Sequence, residues 1–277
     1  AMNNCKLFIA VRGEGITLPS ISGALSNIQN LVSTTSFSGI PTEGASQDQI
    51  NKMPYVLYLE YVNIVKVNDK FVIQSPDGKD VRIRLKRLAA KLTLKWSFAD
   101  VLKQQGYTLK EVRLSQVSGT IPNGKPNHAT GRFYFYPARE SNDTYPTAEK
   151  EYVDYFRLKG DELSTANGSY SIWMPANVRG TSAKVTAPQH RNKDNAPEGA
   201  CFVEFVAEKE ENNEVKDRLT YRVYLGGAAV NDFNIKENTN YTWDVKMTST
   251  NVADPRIIQQ SLIPVTSKVQ RNTSNCF

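Results

Sequence analysis

Two histidines, three cysteines and several acidic runs are the residues of this chain with chemistry to offer, and their neighbours decide whether they use it. His128 sits in KPNHATG and His190 in APQHRNKDN. Both lie among turn formers with no serine or cysteine at a nucleophile turn, so they read as surface residues and not as general bases. No GxSxG is present, and a hydrolase elbow has no candidate. Cys5, Cys201 and Cys276 form no CxxC, and no histidine stands at metal-ligand spacing from any of them. The expectation is therefore no catalytic residue, no cofactor-binding residue and no metal ligand. In an exported protein, an odd cysteine leaves one thiol free or paired between chains.

The remaining chemical signals have plain alternatives. YLGGAAV carries Gly226–Gly227 after a strand, but neither GxGxxG nor GxxxxGK[ST] follows. The pair reads as a bend, or as positive-φ positions in a hairpin connection. EKEENNEVKD lacks the DxDxDG spacing of a calcium loop and reads as a solvated hairpin tip. Carboxylates that converge only in space are invisible to this kind of reading, which keeps a glycan hydrolase as an alternative; its mark would be two carboxylates about 5 to 10 Å apart in a cleft.

The elements that would position these residues are nearly all strands. KLFIAV, VLYLEYVNIVKV (56–67) and FVIQ (71–74) alternate, with NDK and SPDG as turns. SGALSNIQNLVSTT has helical spacing, and SFADVLKQQGY reads as a short helix. LKEVRLSQV, RFYFY (132–136), SYSIWMP (169–175) and CFVEFVAEKE (201–210) read as strands. VRIRLKRLAAKLTLKW is long for one strand: Val81, Ile83 and Leu85 form one inward set, while Leu88, Ala90, Leu92, Leu94 and Trp96 form another of changed parity. A bulge, or a strand passing from one sheet to another near residues 84–88, reconciles the halves. YRVYLGGAAVNDFNIKENTNYTWDVKM (221–247) reads as a structural hairpin in antiparallel sheet, with Arg222 and Tyr224 on its wet face. Trp96, Trp173 and Trp243 each fall on the apolar face of a strand, while a tyrosine row at Tyr134 and Tyr136 would suit sugar or protein if exposed, or burial of both strand faces between sheets.

With 22% charged residues and 40% hydrophobic ones, the composition is that of a folded globular protein rich in aromatic and β-branched residues. Net charge is +6. Its densest basic run, RIRLKR (82–87), alternates like the wet face of a strand and lacks a nucleic-acid reader motif, so no nucleic-acid partner is expected. No run approaches the ~18 apolar residues of a membrane span. Ala1–Met2 reads as a start placed by cloning, which leaves room for an address segment upstream.

Three stretches in order resemble the fimbrillin-like family, the subunits and tip proteins of Bacteroides-type pili. RLKRLAAKLTL (84–94) is similar to its basic-then-apolar strand, SIWMPANVRGT (171–181) to its P-x-N-x-R-G turn, and YRVYLGGAAVNDFNIKENTNYTWDVKM with the following DPR to its closing hairpin and exit. The match is best over 81–258 and looser over 1–80. The resemblance implies an all-β chain of two tandem transthyretin-like β-sandwich domains, with Greek-key-type connections and few short helices. It implies export as an outer-membrane lipoprotein at the cell surface, processing at a basic site, and assembly with other pilin subunits by strand exchange. Arg12, Arg84 and Arg87 are the basic candidates for processing, although a site within a strand is shielded from proteases. No lipobox precedes residue 1, so membrane contact would come only through an N-terminal lipid anchor absent from this chain. RNTSNCF resembles the opening of a further strand, as in a fragment of a longer protein.

The domains expected are 1–83, possibly truncated, and 84–254, followed by an extended segment over 255–277. The function expected is a non-catalytic pilus subunit or tip adhesin, with a host or bacterial surface protein or glycan as receptor. The alternatives are a carbohydrate-binding β-sandwich module of a surface glycan system and a cryptic glycan hydrolase.

Overall fold

Alternating apolar residues become strands almost throughout the described part of this computed structural model, which comprises residues 1–11, 13, 36–37, 53–120, 129–131, 133–134, 152–163 and 166–262. In chain order the first elements are β1 (Met2–Val11), β2 (Ser36–Phe37), β3 (Tyr55–Val67), β4 (Lys70–Gln74) and β5 (Lys86–Arg87). There follow β6 (Ala90–Phe98), the short helix α1 (Asp100–Gln104), β7 (Tyr107–Ser115), β8 (Val117–Thr120), β9 (Thr130–Gly131), β10 (Phe133–Tyr134) and β11 (Tyr152–Val153). The last are β12 (Phe156–Lys159), β13 (Gly168–Met174), β14 (Phe202–Glu211), β15 (Glu214–Tyr224), β16 (Asn240–Met247) and β17 (Ile257–Ser261). The chain is all-β. The expected helix in SGALSNIQNLVSTT, together with Arg12, His128, Tyr136 and Cys276, lies outside the described residues.

Two sheets form a sandwich: a five-stranded one ordered β12-β7-β14-β15-β17, and a three-stranded one ordered β13-β6-β16. The period-2 pattern of β6 puts Leu92, Leu94, Trp96 and Phe98 on one buried face. They meet Val112 and Leu114 of β7 and Val203 and Phe205 of β14 in one apolar core. Each such side chain contributes about 1.5–3 kcal/mol by leaving water. Ile257–Ser261, at the head of the expected C-terminal segment, is the fifth strand of the larger sheet and pairs with Asp217–Tyr221.

A further sheet is ordered β1-β3-β4, with β5 also on β3. Asn68 and Asp69 take positive φ between β3 and β4, and Asn212 and Asn213 do so between β14 and β15. These are two-residue hairpin loops whose twist matches the strands they join, and asparagine tolerates the left-handed backbone they need. The EKEENNEVKD tip is thus the expected hairpin.

Several expectations change. The 221–247 stretch is not a hairpin: β15 pairs with β14 and β17, whereas β16 lies in the opposite sheet, parallel to β6 from Asn240↔Lys91 to Met247↔Phe98. Alternation is the same in either arrangement, and residues 225–239 are a crossing between sheets, longer than a hairpin loop. Gly226 and Gly227 serve neither of the roles expected of them. Their φ angles are not positive; a Cβ on either would run into Asp232, at its carbonyl oxygen or its carboxylate. Tyr224 is not wet but buried with Val185, Ala200 and Phe233 in a second small core. Trp173 is buried on the face opposite Ile172 and Met174, under Lys91, whose ammonium stands 5.7 Å from its ring centre.

The long basic-apolar run does pass between sheets. Lys86 and Arg87 pair with Val56 and Tyr55, and from Ala90 onward the chain pairs with β13 and β16. Leu88 and Ala89, at the change of sheet, are buried. Residues 81–85, however, are not in a strand, and Ile83 is 56% exposed, so the inward set of Val81, Ile83 and Leu85 is corrected. Arg82, Arg84 and Lys86 of RIRLKR are exposed as expected, but only Lys86 and Arg87 of that run lie in a strand.

Candidate functional site

The most exposed backbone opportunity lies on β3. Ile64 pairs with Met2 of β1 on one flank and with Ile73 of β4 on the other, and Tyr55 likewise pairs with Val11 and Arg87. On the flank shared by β4 and β5, Asn63–Val67 and Tyr55–Val56 are paired. Between them, nothing among the described residues pairs with 57–62 on that flank, while Leu57, Leu59 and Val62 keep their β1 partners on the other. At about 3.4 Å per residue this is a gap of roughly 20 Å along the edge. The chain from β4 to β5 does not fill it. After an isolated bridge between Gln74 and Asp80, residues 75–82 stand off from β3 and line a groove of about 640 Å³ with Leu59, Tyr61 and Val62.

The groove beside the gap is mixed in character, lined by Ser75, Asp77, Lys79, Asp80 and Arg82 as well as by Leu59, Tyr61, Val62 and Val81. This amino-terminal part of the chain leaves several large apolar side chains open. Tyr61 is 59% exposed, Phe71 69% and Ile83 56%, with Ile73 and Leu85 also open. A strand edge of unpaired N–H and C=O groups is a template for another strand. Arg84 lies in this exposed, irregular stretch, so the protection expected of a strand does not apply to it, whereas Arg87 is half-buried in β5.

Groups with reactive chemistry are held in structural roles. The Cys201 thiol is buried beneath the sandwich end, donates to Gln116 O at 3.0 Å, and is pushed up to about 12 by burial. His190 ends a one-turn helix and shares a hydrogen bond with the Thr186 hydroxyl at 3.1 Å. Among the described residues no group of three or more His, Cys, Asp or Glu side chains is placed to hold a metal.

The carboxylates that do meet in space are clamped. Glu204 on β14 sits in register with Arg113 on β7 and with Arg222 on β15. One carboxylate oxygen accepts from Arg113 Nε at 2.7 Å and also from its Nη2; the other accepts from Arg222 Nε at 2.7 Å and Nη2 at 2.6 Å. The Glu204 side chain is 2% exposed. Glu111 and Glu208 on the same face pair with Arg157 and Arg218. The forked, charge-assisted bonds to Glu204 fix that carboxylate as an acceptor and leave it poorly placed to shuttle protons.

The P-x-N-x-R-G turn proves to be a knot. Asn177 is 1% exposed; its Nδ2 donates to Gly199 O at 2.8 Å and Gln116 O at 3.2 Å, while its Oδ1 accepts from Arg179 Nε at 2.6 Å. Nearby Arg191, 6% exposed, donates to the carbonyls of Tyr224, Val230 and Asp232 and lies 4.3 Å from the Phe233 ring centre. Sequence reasoning passed over Arg191, because nothing in APQHRNKDN separates a buried arginine from a solvated one.

A family model described as a domain of unknown function (DUF4906) matches residues 172–245, from within β13 into β16. No curated protein matches. Among solved structures, the chain is similar to the tip fimbrial protein Mfa3 from Porphyromonas gingivalis with C-terminal truncation. Identity there is 12%, over 85% of this chain and 71% of that one, with a TM-score of 0.42. It is also similar to a "putative cell adhesion protein" from Bacteroides eggerthii, at 11% identity over 92% of this chain and 77% of that one, with a TM-score of 0.38. Likeness of this degree carries no functional weight, and the functional case rests on this chain's own geometry and motifs.

Proposed function

We propose that this chain is a non-catalytic pilus subunit or tip adhesin, exported to the cell surface, that joins other subunits by strand exchange. The observation that carries this reading is the gap at 57–62 on β3, an interior stretch of sheet edge without a partner on one flank among the described residues, with a groove already standing beside it. An incoming strand would satisfy the backbone groups of the gap and cover Tyr61. The motif order in the sequence supports the same reading. Attachment to the outer membrane would come through a lipid on an upstream segment. We further propose that the chain folds as two units meeting at Leu88–Ala89, where it changes sheets.

Hydrogen exchange tests the assembly step. Peptides tiled over the chain's own sequence are added to it, and the amides of 57–62 are followed. Slowed exchange there with one peptide, lost when that peptide carries a central proline, supports the reading. If no peptide protects these amides and the chain stays monomeric up to about 0.5 mM, the edge is not an acceptor and the reading fails.

A further inference from the structure

β16 is an edge of the smaller sheet, and its backbone has one side to spare. It runs parallel to β6, with Thr239 O accepting from Lys91 N and Met247 O from Ala99 N, both at 3.0 Å. In a parallel ladder alternate residues turn both backbone groups to the same neighbour. Tyr241, Trp243, Val245 and Met247 therefore address β6, whereas Thr242, Asp244 and Lys246 turn their N–H and C=O groups outward. Among the described residues no strand pairs with that outer flank.

The opposite edge of this sheet is partly closed, because the Tyr155 hydroxyl caps Trp173 O of β13 at 3.0 Å. Among the described residues nothing comparable covers β16. Asn240, Thr242, Asp244 and Lys246 are all exposed. Neither Asp244 nor Lys246 has an ion-pair partner among the described residues. On the other face, Trp243 is half-buried beside a groove of about 230 Å³ that Val245 and Met247 also line. The strand thus carries a charged face and an apolar face right up to an open edge.

We propose that this edge pairs with the same edge of a second copy of the chain, antiparallel about a two-fold axis at Val245. Outward groups of one copy must meet outward groups of the other, which leaves a small set of two-fold registers. Centred on Val245, Asp244 faces Lys246 of the second copy and Lys246 faces its Asp244, each pair exchanging N–H and C=O bonds. Centred on Asp244 or on Lys246, like charges stand directly opposite and repel. Centred on Trp243 or Met247, both charges meet only neutral residues. The favoured register also sets Val245 against Val245 and Trp243 against Met247, so the apolar face continues across the joint.

Charged side chains on an edge commonly keep other strands away, lysine above all. Lys246 alone would do so here. Asp244, two residues earlier, turns the same edge into an attraction, in one register and towards a copy of itself. The joined sheet is six-stranded, three strands from each copy, and the contact is small, so the dimer is weak and reversible. The pairing does not rest on the strand-exchange reading and uses none of the β3 residues.

Sedimentation of the whole chain from about 5 to about 500 μM tests it. The wild type forms a dimer that weakens as salt is raised. Asp244→Lys and Lys246→Asp each set like charges opposite one another and weaken association about tenfold or more. Both positions are exposed, so folding is not at risk. An equimolar mixture of the two variants associates again, because an edge with two lysines then meets an edge with two aspartates. Amide exchange slows on association at Thr242, Asp244 and Lys246. The pairing is overturned if the wild type is monomeric at about 500 μM, or if the mixture fails to restore what each variant lost. Association that survives both reversals and protects 57–62 instead belongs to β3, which overturns this pairing and leaves the strand-exchange reading standing.

Discussion

Removing the charge of Glu204 while keeping its shape, as Glu204→Gln, strikes the row of charges across the five-stranded sheet. The wild-type carboxylate holds Arg113 and Arg222 on its two sides, each through two nitrogens, and is itself 2% exposed. The amide can accept on one side only, so one guanidinium loses its acceptor and two cations face each other without an anion between. Breaking a buried ion pair by removing one partner costs about 3–5 kcal/mol. The arginine side chains are 30% and 20% exposed and turn partly to water, which places the expected loss near the lower end, about 3 kcal/mol. For a chain of this size that is a fall in Tm of roughly 6–12 °C. The assay is urea unfolding followed by tryptophan fluorescence, with Arg222→Gln and the double variant closing a cycle. Coupling between the two sites should be about 1–3 kcal/mol. A loss below about 0.5 kcal/mol with no coupling would refute the reasoning, because the row would then be an ordinary surface salt bridge.

Other perturbations have equally definite signs. Glu237 is buried, its Oε2 has no hydrogen-bond partner, and burial raises its pKa above 4.5, only partly opposed by Lys86 and Lys236. The native state therefore holds a proton that the unfolded chain has released, and stability falls as pH rises from about 4.5 through the native pKa. Glu237→Gln should remove that slope and raise stability at pH 7 by on the order of 1 kcal/mol, read as Tm across pH 4 to 8. Gly226→Ala should destabilise by about 1–3 kcal/mol or more, since its Cβ meets the backbone of Asp232 rather than a movable side chain; a denaturation midpoint equal to wild type would show that the 225–239 crossing yields freely. Cys201, buried with its thiol pushed up to about 12, should resist iodoacetamide in the native state and react only on unfolding, as peptide mass spectrometry would show.

Much of the strand content was legible, because period-2 alternation survives in the sequence wherever one face is buried. Asn212–Asn213 and Asn68–Asp69 were legible for a separate reason: asparagine and aspartate between alternating runs declare their turn locally. Pairing partners were not legible. Tyr241, Val245 and Met247 look the same whether β16 returns beside β15 or crosses to lie parallel to β6, since alternation reports a buried face and not a neighbour. The run 81–85 misled for the converse reason: its alternation is real, but among the described residues it pairs with no strand. The candidate sites were the least legible. The gap at 57–62 is a property of what stands beside β3, and the Asn177 knot depends on Gly199 and Gln116, which are far apart in the chain. Only the P-x-N-x-R-G turn pointed towards it, as a motif without a role.

The parallel pairing of β16 with β6 also sets a timetable. Asn240–Met247 docks on Lys91–Phe98, so the central strand of the smaller sheet is made early and receives one of its two neighbours last. During synthesis, that flank of β6 has no native companion until residue 247 has arrived. Contacts so distant in sequence close slowly and leave an edge open to wrong partners. The last part of the matched stretch therefore acts as a latch, and a chain delayed before it would need a holding chaperone to keep Leu92, Leu94 and Trp96 from finding another sheet.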